Sequence, residues 1–353
     1  MCATTRGTGA TLSPPSAING PVSNPVPTGR PSRPSPALPP FIDAAWLRAN
    51  LADVVVADVR WQLQGPSGRE EYEAGHIPGA VFVDLDVDLA DITTPDRGRH
   101  PLPTPEAFAA AMSRLGIGDA DTVVAYDAAG GIFAARLAWM LRAIGHDAAL
   151  LDGGLAAWGS PLEAGPGRTR PTAAFTPEPW PAAALASIDE VASVSAAAAA
   201  AASAAAESAA AASGAGGAAP GCVLVDARAP ERYRGDSEPV DPRAGHIPGA
   251  VNTPCMVHLD AMGALLPPDA LREQFAAAGV VSADGAIAYC GSGVNACHAL
   301  LVMEHAGLGR GRLFPGSWSA WSNQPDRPVS SSNQTSHDTA LSSHDHTVTR
   351  PIR

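Results

Sequence analysis

The stretch 286–309, AIAYCGSGVNACHALLVMEHAGLG, sets one cysteine between a strand pattern and a helix pattern. An apolar run ends at Cys290. The loop Gly291-Ser292-Gly293-Val294-Asn295 follows, and a helical pattern then runs through Ala296, Leu300 and Met303 to a stop near Gly307. Sites in open α/β sheets lie at the carboxyl ends of strands. Helix N-termini and loop N–H groups favour anions there. A thiol so placed is a nucleophile held where anionic sulfur is favoured, and the same N–H groups suit a persulfide anion. The ordinary fate of a free cysteine is structural burial; the glycine-punctuated loop sets Cys290 apart from that. Cys297 falls inside the helix pattern and reads as core, Cys222 and Cys255 accompany strand patterns, and Cys2 lies in a terminal tail. Five cysteines, unpaired in spacing and without a CxxC, indicate neither a disulfide framework nor a zinc site.

The elements that must position this cysteine occur twice. VVVADVR (54–60), GHIPGAV (75–81), VVAYD (123–127) and DGGLAAW (152–158) are followed in the same order by CVLVDAR (222–228), GHIPGAV (245–251), AIAYC (286–290) and PGSWSAW (315–321). Four blocks in one order indicate duplication. VVVAD and VLVDA are short β-branched runs of the kind buried in parallel sheets. Helical stretches at 107–116 and 270–279 lie between the blocks, each ending in glycine. Each half is expected to be α/β, a mostly parallel central sheet with helices on its faces. Asp127 stands in the first half where Cys290 stands in the second. A carboxylate cannot act as the thiol nucleophile, so the first half is expected to be catalytically silent. His76 and His246 recur in both halves, one of which lacks the nucleophile, and read as structural.

Residues 1–38 are rich in Pro, Ser, Thr and Gly, and 327–353 are polar and aperiodic; both are expected to be disordered tails. The intervening ranges read as a first domain at 39–165, a linker at 166–186 and a second domain at 187–326. The Ala-rich segment 195–219 follows SIDEVASV, where Ser187 suits a helix N-cap; it reads as an extension of that helix and an insert without chemistry of its own. A net charge of -12 without a basic block excludes nucleic acid and anionic membrane surfaces as natural partners. The absence of a long apolar run or a leader pattern points to a cytoplasmic protein.

With these residues in hand, the sequence resembles the tandem-domain rhodanese superfamily over about residues 40–325, and within it the mercaptopyruvate-using branch. The resemblance rests on both GHIPGAV blocks, CGSGV and PGSWSAW. It implies two rhodanese-like domains and sulfur transfer through a Cys290 persulfide. The donor would be 3-mercaptopyruvate and the acceptor a thiophile such as cyanide, a small thiol or thioredoxin, with no metal or organic cofactor. Thiosulfate-using relatives carry cations in the loop, where this chain has Gly291 and Ser292. The usual Thr after Val is here Asn295. By the same resemblance Gly291, Gly293, Val294 and Asn295 shape the substrate loop. Arg232 and Arg243 hold the donor carboxylate, with Arg228 and Arg234 as nearby competitors. Ser292, His100 and Asp86 handle protons, with Asp84 and Asp88 as neighbours of the last. A thiosulfate:cyanide sulfurtransferase is the alternative within the enzyme class, and a non-catalytic persulfide-sensing or binding module the alternative outside it. A phosphatase on this fold needs an arginine at position 296, which is Ala.

Overall fold

The computed structural model describes residues 38–62, 65–209 and 222–331. The first half forms a five-stranded, wholly parallel sheet of β1 (Phe41–Ile42), β2 (Val55–Asp58), β3 (Val81–Phe82), β4 (Val123–Tyr126) and β5 (Ala148–Leu151), in the order β1-β5-β4-β2-β3. Every residue of these strands is buried, which is why they read as unbroken apolar runs. The second half repeats the pattern with β6 (Val223–Asp226), β7 (Val251–Asn252), β8 (Ala286–Tyr289) and β9 (Arg312–Leu313), in the order β7-β6-β8-β9. Leu185 forms a parallel bridge to Leu313, the second-half counterpart of β1 pairing with β5. The expected α/β architecture and its duplication are both present.

The repeat extends to side chains. Arg60 forks onto Asp58 and donates to Gly75 O; Arg228 forks onto Asp226 and donates to Gly245 O. Each pair therefore ties a strand end to the turn of its GHIPGAV block. In those turns His76 stacks on Tyr72 and His246 on Tyr233, both with ring centroids 3.8 Å apart. Each Nδ1 bonds the carbonyl of the same tyrosine. Both histidines brace a turn, as expected.

The two halves share one apolar core. Its seam is formed by helices Ala135–Ala143 and Asn295–His305, which follow β4 and β8 and pack against each other. Arg142 pairs with Glu304 across the seam at 2.6 Å. Helix Pro105–Arg114 starts on a Thr104 cap and stops before Gly116; helix Pro268–Ala277 stops before Gly279.

Ser187 caps its helix as expected, with Glu190 completing a capping box, and the helix runs into the alanine tract as Ile188–Ala209. Residues 210–221, the N-terminal tail to residue 37 and the tail from 332 lie outside the described residues. Residues 327–331, expected to belong to the second tail, are packed against the second half. Ser330 exchanges backbone hydrogen bonds with His246, and Trp321 Nε1 donates to Pro328 O. This segment takes the place that Glu163 takes against His76 in the first half. No described helix is long and apolar enough to cross a membrane.

Two further histidines lie buried in the second half. Burial pushes His258 down to about 4 and, with His258 as neighbour, His298 down to about 3. Both are neutral in the fold, whereas the unfolded chain protonates them below about pH 6.5. Stability is therefore expected to fall as pH drops from about 6 to 4, with these two groups adding a slope of up to about 2.7 kcal/mol per pH unit. Urea titrations across that range check this. His298→Leu should remove about half of that contribution, and an unaltered slope in the His258→Leu, His298→Leu double variant would contradict it.

Candidate active site

Cys290 follows β8 directly, and its loop is held from both sides. Gly293 N–H donates to Cys290 Sγ at 3.1 Å, so a loop amide faces the sulfur as the sequence suggests. The Cys290 N–H donates to Ser317 Oγ, whose hydroxyl donates to Phe314 O. Trp318 and Ser319 N–H donate to the carbonyls of Cys290 and Gly291. Ser317 has φ 52°, a left-handed conformation that costs a residue with a Cβ; its two hydrogen bonds fix it against the nucleophile's backbone. This gives the second-half PGSWSAW block its job: it clamps the Cys290 loop.

The loop opens into a cavity of about 230 Å³ lined by residues of both halves. His100 comes from the first. Its Nδ1 lies 2.8 Å from Ser292 Oγ and its Nε2 3.0 Å from Asp86 Oδ1. Trp61 Nε1 donates to the other oxygen of Asp86 at 3.0 Å, and the Trp61 ring meets His100 edge-on. The His100 hydrogen bond holds the Asp86 carboxyl below the usual carboxylate range; burial works against it and Trp61 assists it. Of the three neighbouring aspartates only Asp86 faces His100. Asp84 caps the short helix Leu85–Asp88, and Asp88 pairs with Arg114. Ser292, His100 and Asp86 thus lie in one line of close polar contacts that crosses between the halves.

The arginines divide. Arg232 lines the cavity, with Nε and Nη2 on Glu238 and Nη2 also on Asp241. Arg243 is not brought to the cavity. Its guanidinium donates to the carbonyls of Trp321, Ser322, Gln324, Pro325 and Arg327, closing the chain after the PGSWSAW block. Five carbonyl partners leave it no donor for a substrate, and the carboxylate-holding role does not carry to it. Arg228 reaches the cavity wall but is committed to Asp226, Glu238 and Gly245 O; Arg234 pairs with Asp236 at the surface. Val294 and Asn295 line the cavity with Gly291. Gly293 gives its N–H to the sulfur and its carbonyl to Cys297 Sγ and Arg136. Cys255 donates to Asn295 O, and burial raises its thiol. Burial pushes Cys297 up to about 12, and neither thiol lines the cavity.

Four residues had no expected role. Trp61 steadies Asp86 and His100, and its position just beyond β2 is the signal that could have found it. Arg99 precedes His100 and lines the cavity; Asp241 binds both Arg99 and Arg232. Arg136, fully buried, donates to Leu89 O, His100 O and Gly293 O, joining the histidine's segment to the nucleophile's loop.

The first-half counterpart of the Cys290 loop retains its anion-binding form. The Asp127 carboxylate accepts N–H bonds from Ala129, Gly131, Phe133 and Ala134, where the second half offers an N–H to sulfur. Burial pushes the carboxyl up while these donors pull it back.

The rhodanese-like domain model matches residues 43–161 and again 205–324. The chain belongs to the rhodanese family. Among curated relatives of this rhodanese-family chain, a probable 3-mercaptopyruvate sulfurtransferase of Pseudomonas aeruginosa is 39% identical over 297 residues, covering 82% of this chain and 97% of that protein. A putative thiosulfate sulfurtransferase of Mycobacterium tuberculosis is 41% identical over 278 residues, covering 78% and 90%. The crystal structure of the Escherichia coli 3-mercaptopyruvate sulfurtransferase superposes with a TM-score of 0.65 at 31% identity, covering 80% of this chain and 99% of that one.

Of the three thiols buried among the described residues, Cys290 alone lines the cavity. Iodoacetamide at pH 7 is expected to label Cys290 well before Cys255 and Cys297. Peptide mapping by mass spectrometry reads this, and equal or earlier labelling of Cys297 would contradict it.

Proposed function

We propose that this rhodanese-family enzyme moves sulfane sulfur from 3-mercaptopyruvate to a thiophilic acceptor through a persulfide on Cys290. The observation that carries the reading is the Ser292–His100–Asp86 path opening into the same cavity as the sulfur of Cys290. The Cys290 thiolate attacks the donor's sulfur; an S–S bond forms, and the C–S bond breaks with its electron pair going to the carbon as the pyruvate enolate. The donor's own thiol proton passes to Ser292 and His100 and is returned to that carbon, giving pyruvate and the Cys290 persulfide anion. The Gly293 N–H that faces the sulfur stabilises the anion before and after. Asp86 holds the His100 ring in line and offsets its charge while it carries the proton. A thiophile such as cyanide or a thiol, thioredoxin among the candidates, then takes the outer sulfur and restores the thiolate. A site of this kind needs neither metal nor organic cofactor, and the reading places it in the cytoplasm.

Thiosulfate is the second reading, favoured by the Mycobacterium tuberculosis relative. The two donors make different demands on the proton path. Sulfite leaves thiosulfate as a stable anion and needs no proton, whereas the enolate does. His100→Asn is therefore expected to lower kcat with 3-mercaptopyruvate by roughly 10²- to 10⁴-fold, and kcat with thiosulfate far less. Equal losses would contradict the proposed proton path. Intact-mass measurement should show one added sulfur after 3-mercaptopyruvate and none in Cys290→Ser; a wild-type protein that gains no sulfur from either donor would overturn the reading in favour of a binding module.

A further inference from the structure

The loop around Cys290 carries no cation of its own, yet two guanidinium groups stand over it. A Cβ placed on Gly291 would meet Arg99 Nη2 at 3.1 Å and Arg232 Nη1 at 3.3 Å. One arginine comes from each half of the chain. Asp241, almost wholly buried, holds them together: its two oxygens take Arg99 Nη1 at 2.9 Å and Arg232 Nη2 at 3.1 Å. Glu238 takes the remaining edge of Arg232. Arg99 Nη2 and Arg232 Nη1 take part in none of these bonds, and they are the two nitrogens that converge on Gly291.

Arg99 is delivered rigidly. Its N–H donates to Ser319 Oγ at 3.0 Å, in the segment that clamps the nucleophile loop. Gly98 beside it has φ 112°, and a Cβ there would lie 2.7 Å from Gly316 O, so the first-half loop closes on the second with no room for a side chain. A long surface arginine would lose much conformational freedom to bind an anion; one anchored at its backbone and at one edge of its guanidinium has lost most of it already.

We propose that Arg99 and Arg232 together form the donor-anion site of this enzyme, the first domain supplying the second cation in place of Arg243. This rests on the sulfur-transfer reading and deepens it. Two N–H donors from separate guanidinium groups suit a group with two adjacent anionic oxygens, the carboxylate of 3-mercaptopyruvate or the sulfonate end of thiosulfate. Neutral loop residues at 291 and 292 therefore do not by themselves exclude thiosulfate. The open side of Gly291 is part of the site, because a side chain there would fill the space where the two nitrogens meet.

The test uses the full-length protein and an anionic and a neutral alkylating agent of one shape, iodoacetate and iodoacetamide, each reacting at Cys290 with loss of iodide. The ratio of their rates reads the anion site without reference to sulfur transfer. KM for 3-mercaptopyruvate and for thiosulfate is measured alongside. Arg99→Ala should lower the iodoacetate:iodoacetamide ratio by about tenfold or more and raise KM for at least one donor by about 10- to 100-fold, with a smaller change in kcat. Arg99→Lys should recover part of both. A KM rise confined to one donor assigns the site to that donor's tail. An unchanged ratio, or a lowered ratio with KM unchanged for both donors, would overturn the proposal. If neither donor loads sulfur onto the wild-type protein while the ratio still falls in Arg99→Ala, the anion site stands and the sulfur-transfer reading fails.

Discussion

Arg136 is the residue on which the site depends most. It is fully buried, and among the described residues no carboxylate pairs with it; its charge is met by three carbonyl groups, those of Leu89, His100 and Gly293. Burying an arginine this way is costly unless each donor finds an acceptor. Here the acceptors belong to two halves of the chain, so the cost is offset only when the halves are docked in one arrangement. That arrangement sets His100 beside Ser292 and leaves the Gly293 N–H free for the sulfur of Cys290. Catalytic geometry and domain docking are one structural problem with one solution.

The duplication explains why such a solution was within reach. Both halves present a loop after the equivalent strand whose backbone N–H groups face one side chain. Four of them bond the Asp127 carboxyl in the first half, and one meets the sulfur of Cys290 in the second. The Asp58–Arg60 and Asp226–Arg228 clamps and the paired tyrosine–histidine stacks keep the two frames alike, while the loops facing the cleft have diverged. The first half has Asp127 where the second has Cys290, and it contributes Trp61, Arg99 and His100 to the wall of the shared cavity, with Asp86 behind His100. The domain without a cysteine at this position thus supplies part of the cavity around the one that has it.

Much of this was legible in the sequence, for identifiable reasons. Strands buried on both faces appear as apolar runs, so β2, β4, β6 and β8 announce themselves; the Ser187 cap and the long alanine helix follow from local chemistry. The strand–cysteine–glycine loop pointed to Cys290 without any comparison. Asp86, His100 and Ser292 came from resemblance, since nothing in the spacing of three residues spread over two domains reveals that they meet. Arg243 shows the limit of carrying a role over by position. It sits in the expected loop, but the chain from 321 to 327 surrounds its guanidinium with carbonyl groups. Arg99 and Arg136 could not be read at all, because their meaning lies in partners that only the folded chain brings to them: Asp241 and Ser319 for the first, Leu89, His100 and Gly293 for the second.

The most direct test of this account is the rate of sulfur loading onto Cys290 in a single turnover with 3-mercaptopyruvate, compared between wild type and Arg136→Met under conditions where both are folded. Leaving the buried carbonyls of Leu89 and His100 without a donor, and that of Gly293 with the Cys297 thiol alone, should cost roughly 2 kcal/mol or more of stability. It should also slow loading by at least about tenfold, because His100 and the Gly293 loop are no longer held in register; Arg136→Lys, which keeps the charge, should fall between. A folded Arg136→Met that loads sulfur at the wild-type rate would show that the two halves align the site without this residue, and would contradict the account.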